Sequence, residues 1–176
     1  MTLNGKNLPI REPIKTFNEP LRTEIGEDLR PSIRKTDIEV YEAVNGTGIL
    51  YELGIPVVET EDKWDVNVLQ KVPLNLDRDN VPPTFLRDLR AHVFNHMYDQ
   101  ITPEDTTSTW VEEATSSENC DPVAATVFLE QRYGKKVVAF DPTNAEANNT
   151  ATADGFVVIP PRGLTPGQRQ NLKDNG

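Results

Sequence analysis

The hydrophobic pattern of this chain changes its period at Pro82-Pro83, and that change limits the folds it can adopt. Between residues 37 and 80, apolar and polar residues alternate, as in Trp64–Val68, where Val66 and Val68 share one face. After Pro83 the apolar residues recur at helical spacing: Phe85, Leu86, Leu89, Val93, Met97 and Ile101. The first period is typical of strands and the second of helices. The sequence therefore predicts an α+β fold, in which a β-meander of about three strands precedes packed helices.

Two further segments flank the region of strands and helices, which spans residues 37–133. Residues 1–36 are rich in proline and charge and contain the turn signal Asn4-Gly5, so we expect a short hairpin and an extended arm that lies against a neighbour. Residues 134–176 read as strand, helix, strand and helix, with Thr165-Pro166 opening the last helix. Two short apolar strands joined by a helix favour parallel pairing, so we expect a small βαβα lobe packed on the middle segment.

Short polar motifs predict where the other helices begin and end. Thr109 with Glu112 fits a capping box at the start of a short helix. Asp121-Pro122 is a cap and first turn for the next helix, which we expect to stop at Gly134. Within the last segment, a helix is expected inside residues 141–154.

Acidic residues outnumber basic ones, and the excess lies in the middle of the chain. The 176 residues include 18 lysines and arginines and 28 aspartates and glutamates, a formal net charge of −10. Residues 37–131 alone hold 5 basic and 19 acidic residues, a charge of −14. The negative charge of this middle segment disfavours broad binding to nucleic acid or to an anionic membrane surface. It suits solubility, or docking to a basic partner.

Cysteine usage and hydropathy predict the compartment. Cys120 is the single cysteine, which excludes an internal disulfide and indicates a reducing environment. No apolar run approaches the roughly 18 residues of a membrane span. Met1–Lys6 lack the apolar core of a signal peptide. We therefore expect a cytoplasmic protein without a membrane contact.

Histidine and cysteine patterns offer little catalytic chemistry. His92 and His96 lie four apart on the long predicted helix, with Asp88 one turn earlier, a spacing that can bind a transition metal. Two histidines and one cysteine are too few for a convincing zinc site, so we expect surface histidines and no metal. Cys120 precedes a helix start, where the helix dipole can lower a thiol pKa. No histidine lies near Cys120 in the sequence, and we expect it to be a cysteine of the capping region.

Two charged residues at strand ends are the stronger candidates for function. Asp141 follows an apolar strand, and ligand sites of α/β proteins gather at the carboxyl ends of strands; the next residues, Pro142-Thr143-Asn144, fit a turn and helix cap equally well. Lys71 follows Trp64–Val68, and a lysine is a mobile point charge suited to a terminal phosphate. The polar loop Asp77-Arg78-Asp79-Asn80 follows Lys71 and is the candidate ligand-binding loop.

Several blocks of the chain resemble the C-terminal half of a bacterial and phage group of ATP-binding proteins related to gyrase B, MutL and histidine kinases. The blocks Leu50–Thr60 and Gln70–Val81 carry the resemblance, and Arg132–Lys136 and Asp141–Asn148 are similar to later blocks of that group. The resemblance covers nearly the whole chain.

The resemblance implies a role for Lys71. In such ATPases a second domain, similar in fold to ribosomal protein S5, supplies a lysine that contacts the ATP γ-phosphate. In MutL-like members that lysine follows an Asp-Val-Asn-Val strand, which matches Asp65–Val68 here, although Lys71 comes one residue earlier than in the family. Gln70-Lys71 resembles the Gln-x-Lys loop of gyrase without its middle residue. The resemblance thus assigns catalysis-related contacts to Lys71 and Gln70, with Lys71 exposed at a sheet edge.

The nucleotide-binding motifs of that family are missing from this sequence: the helix with Glu and Asn, the Asp-x-Gly-x-Gly turn and the Gly-rich lid. The resemblance therefore implies a non-autonomous, transducer-like domain without activity of its own. It would couple ATP and magnesium bound by an N-terminal ATPase domain, in the same or a separate chain, to domain movement; a homodimer is one arrangement.

Two alternative functions remain open at the level of sequence. One is an acidic module that docks a basic partner or mimics nucleic acid. The other is a small-molecule-binding α/β domain that uses Asp141, for which a formed pocket beside Asp141 and Asn144 is the expected sign.

Overall fold

The structure, a computed structural model, describes residues 2–3, 6–7, 11–74 and 80–173. It is mixed α+β, as predicted: a sheet comes first, and helices with a small parallel strand pair follow. The chain divides into two compact units, residues 1–82 and residues 83–176. The boundaries that composition predicts near residues 36 and 133 stay a prediction.

Strands build the first unit. Their bounds are β1 (Thr2–Leu3), β2 (Lys6–Asn7), β3 (Lys15–Ile25), β4 (Arg30–Glu42), β5 (Ile49–Glu52), β6 (Ile55–Glu59) and β7 (Trp64–Val68). β1 and β2 pair antiparallel with Leu3 opposite Lys6, so the predicted short hairpin is present. The other five strands form one sheet in the order β3-β4-β7-β5-β6.

The order of this sheet differs from the predicted meander, because β7 lies between β4 and β5. It runs antiparallel to β4, with Val66 opposite Val40, and parallel to β5, with Val66 beside Leu50. The last strand in sequence is therefore central in space. Alternation in the sequence shows that Val66 and Val68 face a core, but it carries no information on which strands lie on either side.

Residues 15–25, expected to belong to an extended arm, form the edge strand β3. Phe17 and Leu21 are buried and give β3 an apolar face. The whole of β3 pairs with β4. Pro20 is compatible with this strand because proline has no N–H to donate and is tolerated at a sheet edge. Residues 15–25 and 30–36 are thus part of the sheet rather than of a separate arm.

The two faces of the sheet differ in polarity. One face buries the apolar side chains Phe17, Leu21, Ile38, Val40, Leu50, Trp64, Val66 and Val68. On the other face, Tyr41 Oη and Asn67 Nδ2 each donate to Glu39 Oε2 at 2.8 Å. Asn67 Oδ1 accepts from the N–H of Gly54 at 2.8 Å. Gly54 has φ of 86° and Leu53 has φ of 49° in the two-residue β5–β6 turn, a left-handed pair typical of tight hairpins.

Helices dominate the second unit. Its elements are α1 (Pro83–Met97), α2 (Thr109–Ser116), α3 (Pro122–Tyr133), β8 (Val137–Ala139), α4 (Ala145–Ala153), β9 (Val157–Ile159) and α5 (Pro166–Lys173). β8 and β9 pair in parallel, as predicted. The core of α1 to α3 buries Phe85, Leu89, Val93, Phe94, Met97, Trp110, Val111, Ala114, Ala124 and Phe128. Within the parts of the chain that the structure describes, no helix combines the length and the apolar character needed to cross a bilayer.

The helix starts confirm one predicted cap and correct another. Asp121 caps α3 as predicted, since its carboxylate accepts from the N–H of Val123 at 2.8 Å, and Gly134 follows the helix with φ of 91°. The capping box predicted at Thr109 is wrong, because Ser108 is the cap residue of α2 and its side chain makes no cap hydrogen bond. Ser108 Oγ instead donates to the carbonyl of Asp105 in the preceding turn, at 2.6 Å.

The last helix has a capping box that the sequence analysis missed. Thr165 Oγ1 accepts from the N–H of Gln168 at 3.2 Å, and Gln168 Oε1 accepts from the N–H of Thr165 at 2.8 Å. The two side chains thus satisfy each other's main-chain donors at the start of α5. The Thr-x-x-Gln spacing was visible in the sequence.

Candidate functional site

Lys71 lies three residues beyond the carboxyl end of β7, the strand with neighbours on both sides. Its side chain is half-buried. The expected position, exposed at a sheet edge, is therefore wrong. The reason is the strand order: β7 inserts between β4 and β5, so the residue after it leaves from the middle of the sheet.

The main chain on both sides of Lys71 is fixed by side chains from other strands. The buried Thr23 donates from Oγ1 to the carbonyl of Lys71 at 2.7 Å. The N–H of Val72 donates to Glu52 Oε2 at 2.6 Å, and Val72 is fully buried. Gln70 Nε2 donates to the carbonyl of Leu21 at 3.3 Å. These bonds hold the base of the Lys71 side chain in place.

The Lys71 ammonium forms no ion pair with a carboxylate of the described residues. Gln70 differs, because its amide already binds a carbonyl and stabilises the β3 contact. The structure therefore assigns an anchoring contact to Gln70 and leaves its predicted catalytic role a prediction.

Of the polar loop Asp77-Arg78-Asp79-Asn80, the structure describes Asn80. Asp77, Arg78 and Asp79 lie outside the described residues, so their predicted ligand-binding role stays a prediction. Asn80 is exposed, and its Oδ1 accepts from the N–H of the next residue, Val81, at 2.9 Å. This short-range bond is typical of a turn.

A buried ion pair lies on the polar face of the sheet, and sequence reasoning missed it. Asp65 is completely buried; its Oδ2 accepts from Arg11 Nη2 at 2.9 Å, and its Oδ1 accepts from the N–H of Ile49 at 2.9 Å. The Arg11 guanidinium also lies 4.9 Å from the ring centre of Tyr41 and donates to the carbonyl of Glu42. These bonds connect the segment before β3 to β5 and β7. Both oxygens of the Asp65 carboxylate are satisfied, so the pair has a structural role.

Of the histidine and cysteine candidates, His92 and Cys120 are buried and His96 is half-buried. The predicted surface position of His92 is wrong. The residue is buried because it lies on the face of α1 that carries Leu89 and Val93. Among the described residues, no cluster of three or more His, Cys, Asp or Glu side chains is placed to hold a metal. Burial raises the pKa of the Cys120 thiol to about 12, with a smaller contribution from Asp121. The thiol is therefore protonated at neutral pH and is a poor nucleophile.

Asp141 shapes its own loop. Its Oδ1 accepts from Thr143 Oγ1 at 2.6 Å and from the N–H of Thr143 at 2.8 Å, and these bonds lower the pKa of the carboxyl. The buried Asn148 of α4 accepts from the N–H of Asp141 at 2.9 Å and donates to its carbonyl at 2.7 Å. Asp141 to Thr143 form a turn before the helix, and α4 begins at Ala145 with Asn144 as its cap. A ligand-binding role of the Asp141 carboxylate stays a prediction.

No protein-family model, curated protein or solved structure matches this chain. The resemblance to proteins related to gyrase B and MutL consequently depends on the quoted motifs alone.

Proposed function

We propose that this chain is the coupling module of a nucleotide-hydrolysing assembly and that Lys71 is its phosphate contact. Two observations on Lys71 support the proposal. Thr23 fixes its main chain, and its ammonium has no carboxylate partner among the described residues. A cation with a fixed base and no such partner is suited to a phosphate contact. The motif resemblance supports the same role.

The described residues around Lys71 do not by themselves complete a nucleotide site. A triphosphate site ordinarily surrounds the phosphates with main-chain N–H groups, a metal ion and more than one cation. Lys71 supplies one charge, and its neighbours Gln70 and Val72 use their polar groups within the fold. The remaining phosphate ligands and the magnesium would come from a partner ATPase domain. Lys71 then acts in trans, and loss of the γ-phosphate removes its contact and releases the partner.

The acidic docking function has less support. Many acidic side chains of the middle segment are used inside the fold: Asp65 pairs with Arg11, Glu113 with Arg90, and Asp121 caps α3. Exposed acidic residues, such as Glu59 and Glu118, occur in both compact units. Docking to a basic partner is better served by one contiguous acidic surface.

A thermal shift titration with magnesium and a non-hydrolysable ATP analogue tests the proposal. We expect no change in Tm up to about 5 mM analogue, because one cation without the rest of the site gives an affinity too weak to stabilise the fold. A saturable rise in Tm that is lost in Lys71→Met, but kept in the control Lys35→Met, would mean a self-contained nucleotide site. That result would overturn the proposed dependence on a partner domain.

A further inference from the structure

A cavity of about 500 Å³ opens at the carboxyl edge of the β8–β9 pair in the second unit. Ala139 and Ile159, the last residues of the two strands, line it. The residues that follow each strand complete this side: Phe140, Pro142, Pro160 and Pro161. Ligands of parallel α/β sheets bind at this edge, and the volume lies in the usual small-molecule range of roughly 300–1,000 Å³.

The loops around the cavity are held by hydrogen bonds. Asn148 binds both the N–H and the carbonyl of Asp141, at 2.9 and 2.7 Å, and so fixes the loop that presents Phe140 and Pro142. Tyr133 Oη donates to the carbonyl of Gly163 at 2.6 Å and fixes the turn after β9. A preformed cavity loses less free energy in ordering when a ligand binds.

The helical wall of the cavity is also fixed. Gln168 Nε2 of α5 donates to Thr115 Oγ1 of α2 at 2.7 Å, and Asn171 Nδ2 donates to the carbonyl of Thr115 at 2.8 Å. At Gly167 the helices are so close that an added Cβ would clash with the carbonyl of Ser116. The opposite side of α5 is therefore presented to the cavity at a defined position.

The charge of the lining indicates the ligand. α5 contributes Leu172 and two cations one helical turn apart, Arg169 and Lys173. The described lining residues include no carboxylate, and apart from the two cations they are apolar. Asp141, which the sequence suggested for a small-molecule site, is not among them. An apolar cavity with cations at one side suits a molecule with an apolar body and one anionic group.

We propose that the second unit binds a small apolar carboxylic acid in this cavity, with its carboxylate on Arg169 and Lys173 and its body against Phe140, Pro160 and Leu172. Arg169 Nη2 donates to the carbonyl of Leu164 at 3.3 Å, which holds the guanidinium beside the cavity and leaves its other N–H groups to bind a carboxylate. Lys173 adds a flexible point charge. This inference is independent of the Lys71 proposal, because the two sites lie in different compact units.

Binding of 4-phenylbutyrate and of its uncharged amide to the full chain tests the charge requirement. We expect the acid to bind at least about tenfold more tightly than the amide, since charge-assisted hydrogen bonds exceed neutral ones by this order. The double variant Arg169→Gln, Lys173→Gln should bind both probes equally. The control Lys135→Gln, an exposed cation outside the lining, should keep the preference.

A second variant tests the location without removing charge. Ala139 is exposed on a strand end, so Ala139→Phe should fold and fill the cavity, and both probes should then lose binding. Three results would overturn the proposal: equal affinity of acid and amide for the wild-type chain, an acid preference that survives in the double variant, or no binding of either probe up to about 10 mM.

Discussion

The carboxylate of Asp65 has no exposed surface, and its partner Arg11 reaches it from 54 residues earlier in the sequence, at 2.9 Å. Both oxygens of Asp65 are satisfied, one by Arg11 and the other by the N–H of Ile49. A buried carboxylate of this kind is costly when it loses its partner, whatever the net value of the intact pair. The pair therefore fixes the segment before β3 against the central strand.

Removing Arg11 should destabilise the first unit. In Arg11→Met the Asp65 carboxylate keeps only the Ile49 N–H, and we expect the free energy of unfolding to fall by about 1–3 kcal/mol, below the usual range for a fully buried pair because Arg11 is partly exposed. Urea unfolding measures the change. The double variant with Asp65→Asn should recover part of the loss. An unchanged stability of Arg11→Met would show that the pair contributes nothing.

The two hydrogen bonds between the Asn148 side chain and the main chain of Asp141 should stabilise the second unit. Asn148→Ala leaves the N–H and carbonyl of Asp141 without these partners, and we expect a loss of about 1–3 kcal/mol. Asn149 is the adjacent, exposed residue of the same helix, so Asn149→Ala is the matched control and should change stability by less than about 0.5 kcal/mol. Equal effects of the two substitutions in urea unfolding would show that the hydrogen bonds of Asn148 to Asp141 do not stabilise the fold.

Gly167 is required for the close contact of α5 with α2. Gly167→Ala should lower the free energy of unfolding by about 2 kcal/mol or more, because the new Cβ clashes with the carbonyl of Ser116, which is main chain and cannot rotate away. In most exposed helices the same substitution stabilises by about 1 kcal/mol. An unchanged or raised Tm of Gly167→Ala would show that α5 does not pack this closely against Ser116 of α2.

Cys120 should make stability fall at high pH. Its pKa is raised by burial from 9.0 to about 12 in the folded chain, so the unfolded chain ionises first as pH rises. The resulting stabilisation of the folded state is complete below pH 9.0 and is lost between pH 9.0 and about 12. The advantage of wild type over Cys120→Ala should shrink by at most about 1.4 kcal/mol per pH unit in that window. A constant difference across these pH values would contradict the raised pKa.

Local signals in the sequence predicted the elements better than their arrangement. The alternation of Val66 and Val68 identified β7, and Asp121-Pro122 identified the start of α3, because each signal lies within a few neighbouring residues. The central position of β7 could not be predicted in this way. It depends on pairing with β4 and β5 at once, which no local pattern records.

The candidate sites show the same limit. Lys71 and Asp141 were correctly placed after strands, but their surroundings come from distant residues. Thr23 binds the carbonyl of Lys71 across 48 positions, and Asn148 determines the loop of Asp141 from the next helix. The cations Arg169 and Lys173 drew no attention in the sequence, because they line the cavity only through the packing of α5 against α2, which no local pattern records.

The most direct test of the proposed function is an NMR titration of the labelled chain with magnesium tripolyphosphate, which carries the phosphates of ATP without the base. We predict a weak perturbation that is far from saturation at about 5 mM and is confined to the amides of Gln70–Val72, absent in Lys71→Met and retained in Lys35→Met. Perturbations spread over exposed cations throughout the chain and unchanged in Lys71→Met would contradict a phosphate contact at Lys71.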